Sequence, residues 1–111
     1  MTREIKESDW KLFKQLHPVA LERFCQRVLS EVAQINSEST KDFHQRYTDI
    51  YAIIKDRNDE MAQIFDDPRR SSALIQLATM CSHNILTEEE FRRFSEETRG
   101  VVEVLLGNRS A

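Results

Sequence analysis

The sequence predicts an all-α protein: a small helical bundle of two long antiparallel helices, about residues 18–36 and 40–66, with shorter N-terminal and C-terminal helices. Three observations predict it. Residues 40–67 contain no Gly or Pro, and Phe43, Tyr47, Ile50, Ile54, Met61 and Phe65 recur there at steps of three, four or seven. Residues 18–36 repeat the pattern, with Leu21, Phe24, Cys25, Val28, Leu29, Val32 and Ile35 on one face. The whole chain has only two Gly and two Pro, too few for a fold built on strands and tight turns. At 111 residues it is read as a single domain, residues 1–111.

Each element has its own local signal. Ser8 is placed to cap a short first helix carrying Trp10, Phe13 and Leu16, with Asp9 in its first turn. His17-Pro18 should end that helix, because proline disfavours the helical conformation of the preceding residue, and Pro18 then opens the second helix. The polar run Asn36-Ser37-Glu38-Ser39-Thr40 reads as a tight connection, which forces the second and third helices antiparallel. Asp66-Asp67-Pro68 stops the long helix. A fourth helix follows over residues 69–84, with Leu74, Leu77, Ala78 and Cys81 on one face. Thr87-Glu88-Glu89-Glu90 is a capping box that opens a short fifth helix with Phe91 and Phe94. Ser95 caps the last helix, which should end near Gly107.

Composition excludes several classes. The net charge is −3, from 16 basic and 19 acidic residues without a basic block, so no nucleic-acid partner is expected. No apolar run reaches the ~20 residues of a membrane span, and the charged N-terminus lacks the apolar core of a signal peptide. A cytoplasmic location is the expectation. Cys25 and Cys81 have no metal-ligand spacing and read as reduced core thiols.

Chemistry-bearing motifs are missing. There is no HExxH, no pair of Glu-x-x-His segments and no glycine-rich phosphate loop, so neither metal nor cofactor is expected. Of the three histidines, His17 reads as a local capping group and His83 as exposed. His44, one turn from Thr48 and beside Tyr47 and Tyr51, could edge a polar pocket. Arg69 and Arg70, after Pro68, could grip an anion or an acidic partner.

Two apolar surfaces are wider than the single stripe a small bundle normally buries, which implies either deep burial or contact with another chain. Val101, Val102, Val104, Leu105 and Leu106 cover most of the circumference of the last helix, leaving Glu103 alone on a polar side. Ile53 and Ile64, with Arg46 and Arg57 on the same flank, widen the apolar arc of the long helix beyond its main stripe. Both surfaces are read as candidate interfaces. The function expected is a non-enzymatic helical protein-protein interaction or regulatory module, self-associating as a homodimer. The alternative is a small-ligand-binding protein or minor enzyme using the pocket edge of His44, Tyr47 and Tyr51.

Overall fold

The computed structural model describes residues 4–110, with side chains described through residue 107. It is all-α, with no strand among the described residues. Five helices follow one another: α1 (Glu7–Asn36), α2 (Phe43–Phe65), α3 (Ala73–Ser82), α4 (Glu88–Arg92) and α5 (Glu96–Ser110). The molecule is elongated, 53 × 30 × 25 Å.

The predicted break at His17-Pro18 is absent. α1 runs through it as one helix of 30 residues. A proline inside a helix removes one backbone hydrogen bond and costs about 3 kcal/mol. Here Pro18 and Lys14 are both exposed, so the carbonyl left without a donor lies on the wet side. Phe13, Leu16, Ala20 and Phe24 are buried on the other side and hold the helix across the gap. Burying each of the Phe and Leu side chains stabilises by roughly 1.5–3 kcal/mol, so packing outweighs the local penalty. His17 does act as a cap, but a distant one: its Nε2–H donates to the carbonyl of Phe65 at 2.9 Å, at the C-terminus of α2.

α2 is shorter than the predicted 40–66 span at its start. Asp42 is its N-cap and accepts a 2.7 Å bond from the backbone N–H of Gln45. The connection from α1 therefore occupies residues 37–42. At the other end Asp67 adopts φ +50°, which turns the chain out of the helix before Pro68. α3 occupies Ala73–Ser82, inside the predicted 69–84, since residues 69–72 form a turn closed by Ser72 N–H to the Arg69 carbonyl. The capping box at Thr87 forms as read, its hydroxyl accepting from Glu90 N–H while the Glu90 carboxylate accepts from Thr87 N–H. Gly107 does not end α5, which continues to Ser110.

The core occupies one end of the molecule. Phe13, Phe94, Ile64, Leu77, Met80 and Ile85 are its largest fully buried side chains. In α1 every buried residue lies between Asp9 and Phe24, and in α2 only Ile64 and Phe65 are buried. Val28 and Met61 still pack against this core, and beyond them residues 29–36 and 43–60 project from the head as a two-helix arm. The arm is clasped by Arg57, whose guanidinium forks onto both oxygens of Glu31 at 3.0 Å and also reaches Glu60. Nearer the tip, Arg46 Nη1 donates to the carbonyl of Asn36 at 2.8 Å.

Candidate interaction surface on the helical arm

The rotation of α2 is the main difference from the sequence reading. Its orientation is set in the head by Ile64, which is 1% exposed. On a 3.6-residue helix, Glu60, Arg57, Ile53, Ile50 and Arg46 lie on the same side as Ile64, and all five are half-buried against α1. The flank of Ile53, Ile64, Arg46 and Arg57, expected as an interface, is therefore the inner seam of the hairpin. The arginines serve that seam, their stems along α1 and their heads on Glu31 and Asn36.

Half of the stripe expected to be core faces outward instead: Phe43, Tyr47 and Ile54 are exposed, and Tyr51 joins them. Phe43 is 80% exposed, Tyr47 73%, Tyr51 63% and Ile54 40%. Arg46 covers part of the Phe43 ring, its guanidinium carbon 4.5 Å from the centroid. Of the rest of the predicted stripe, Ile50 lies in the seam, Met61 packs partly against the core and Phe65 enters it. There it meets Phe24 edge-on, with centroids 5.7 Å apart.

Leu29 of α1 adds to this exposed surface at 67%. Its side follows from helical register. Arg23 and Arg27 reach Ile85, Glu90, His83 and Asn84, so their side of α1 faces α3 and α4. Leu29 lies two residues beyond Arg27, nearly opposite around the helix. On α2, Glu60 lines a hollow of about 200 Å³ together with Arg27, Glu31, Arg57 and His83, which places its side toward α3. Tyr47 and Tyr51 are on the side away from Glu60. The stripe and Leu29 thus share the broad face of the arm turned away from α3.

The two faces of the arm differ in chemistry. The α3 side carries Glu31, Arg57, Glu60, Lys41 and Asp49, and these charges are paired: Arg57 with both glutamates, Lys41 with Asp49 at 2.9 Å. The Arg57 hydrogen bond holds the Glu31 carboxyl below its ordinary value, against the opposing effect of burial. The outer face presents aromatic and aliphatic side chains with no carboxylate or ammonium among Leu29, Phe43, Tyr47, Tyr51 and Ile54.

The other candidate residues fall elsewhere. His44, Tyr47 and Tyr51 are exposed, and five of the hollows among the described residues are lined by other side chains. Arg69 pairs with Asp67 at 2.7 Å. Arg70 forks onto Glu7 and lies 5.4 Å from the Trp10 ring centroid, so it ties the α2–α3 turn to the start of α1. In α5, Val102 is fully buried, and Val101, Leu105 and Leu106 pack partly against the core. Within that apolar run Val104, 64% exposed, faces water, beside a shallow groove opened by Gly100. The C-terminal run is thus mostly core, with a narrow exposed edge.

Cys25 and Cys81 are both half-buried free thiols, and burial pushes the Cys81 thiol up to about 11. His83, read as exposed, is half-buried in the hollow beside Arg27. Among the described residues no group of three His, Cys, Asp or Glu side chains could hold a metal ion. No described helix is long and apolar enough to cross a membrane.

One polar cluster escaped the sequence reading. Asp9, 3% exposed, accepts hydrogen bonds from the Ser95 N–H at 3.0 Å, the Ser95 hydroxyl at 2.6 Å and the Thr98 hydroxyl at 2.7 Å. Ser95 was legible as a cap for α5, and its oxygen does accept from Thr98 N–H at 3.3 Å. Its partner 86 positions away was not legible. No protein-family model matches this chain, and no curated protein and no solved structure matches it either.

Proposed function

We propose that this chain is a helical protein-interaction module that binds through the outer face of its α1–α2 arm. The observation that carries this reading is the row Phe43, Tyr47, Tyr51 and Ile54, left 40–80% exposed on one side of a helix whose other side is packed. Large aromatic side chains in water forfeit the burial that offsets their ordering, and contiguous exposed apolar patches of this kind mark interaction sites. Tyr suits such a surface, because its ring is apolar and its hydroxyl stays hydrated at a rim.

The experiment is gel filtration of extracts from the cells that make the protein, comparing the natural chain with Tyr47→Asp. The natural chain should elute in an assembly larger than itself, and the variant should lose it while keeping its helical circular dichroism. Identical elution of the two would contradict the reading.

A further inference from the structure

We infer that the occupant of this face is a second copy of the chain, docked arm against arm so that two hairpins form a four-helix layer. The inference rests on the interaction-module reading and names its partner.

Area favours it. An aromatic side chain buries about 150–250 Å², so Phe43, Tyr47, Tyr51, Ile54 and Leu29 at their observed exposures offer on the order of 700 Å². A stable interface takes about 800 Å² from each partner, whereas the largest apolar patch of an ordinary monomer is about 300–600 Å². The exposed face is thus near the size one side of a dimer requires, before any rim residue is counted.

Charge favours it as well. A two-fold contact places the same patch on both sides, so a charge near its axis would meet its own kind. None of the five residues above is charged, and the paired charges of the arm lie on the opposite side. The one cation on the patch described above, the Arg46 guanidinium over the Phe43 ring, sits at its end and away from the centre of the contact. Spacing completes the case. Along α2 the exposed residues stand at 43, 47, 51 and 54, nearly symmetric about a point between Tyr47 and Tyr51. Two antiparallel copies of α2 crossing there would set Phe43 against the partner's Ile54 and Tyr47 against the partner's Tyr51. No residue of α2 from Phe43 to Ile54 is buried in the head, so an antiparallel crossing there places the two heads at opposite ends.

Sedimentation equilibrium of the purified full chain tests the inference. A species of twice the 13.1 kDa chain mass is expected at tens of micromolar. Tyr47→Asp should raise the dissociation constant by on the order of 100-fold, since a two-fold contact meets each substitution twice. Phe43→Lys, at an equally exposed position, should do the same, and Gln34→Ala, at an exposed position on the charged side, should leave the dimer intact. A monomeric natural chain overturns the inference. If Tyr47→Asp nevertheless dissolves the assembly in extracts, the interaction reading stands with a different protein as partner. A dimer that survives both Tyr47→Asp and Phe43→Lys also overturns the inference, because it must form elsewhere.

Discussion

The Thr98 hydroxyl donates a 2.7 Å hydrogen bond to the carboxylate of Asp9 across 89 positions of sequence, and both residues are buried. Asp9 thereby holds the first turn of α5 from the first turn of α1, with Ser95 supplying two more donors. Asp9→Ala would leave Thr98 without its buried acceptor and remove the charge facing the helix N-terminus. The expected cost is about 2–3 kcal/mol, with Asp9→Asn intermediate, read as a lowered urea midpoint. An unchanged midpoint for Asp9→Ala would show that α5 is held by apolar packing alone.

Acid should weaken the fold through Glu90. Hydrogen bonds from Arg23 hold its carboxyl down at about 2, against the opposing effect of burial. Because the folded value lies below the ordinary 4.5, the stabilisation is fully present above that value and is lost as the pH falls toward 2. Asp9 adds to the same trend: burial raises its pKa, but the bonds from Ser95 and Thr98 outweigh that and lower it. Arg23 is 34% and Glu90 18% exposed, so solvent screening reduces the Glu90 contribution to on the order of 2 kcal/mol. Urea titrations at successive pH values should show this slope, and Glu90→Gln should flatten it.

The rotation of α2 has a stability signature. Ile64 is 1% exposed and Tyr47 73%. Ile64→Ala should cost about 2–5 kcal/mol, as expected for a truncated core residue. Tyr47→Ala should change the stability of the unassembled chain by less than about 0.5 kcal/mol. Thermal unfolding in dilute solution distinguishes them, and reversed sensitivities would restore the stripe to the core.

Cys81 should be chemically quiet. With its thiol pushed up to about 11, Cys81 is about one part in a thousand thiolate at pH 8. Alkylation followed by mass spectrometry should modify Cys81 at least about 100-fold faster in urea than in the native chain. Rapid native labelling would mean that the α3 surface opens.

Much of the fold was legible because its signals are local. The capping box at Thr87, the stop at Asp67-Pro68 and the hairpin between the two long helices each depend on residues close in sequence. Pro18 misled because the forces that carry α1 through it, burial of Phe13, Leu16, Ala20 and Phe24, belong to the tertiary structure. The face of α2 misled for a related reason. Its aromatic row and its Ile53–Ile64 flank are both apolar, and periodicity alone does not choose between them. Ile64 in the head makes that choice, and it commits the next five turns of helix, outside the core, to the same orientation. The Arg46 and Arg57 side chains, read as part of a candidate interface, are the clasps of the seam.

The most direct test of the arm as an interaction surface is site-specific photo-crosslinking in the cells that make the protein. A benzophenone side chain replaces either Tyr47, on the outer face, or Gln45, which bonds Asp49 on the charged side. The expected result is a discrete adduct from position 47 and none from position 45. An adduct from position 45 alone, or none from either position, would contradict it.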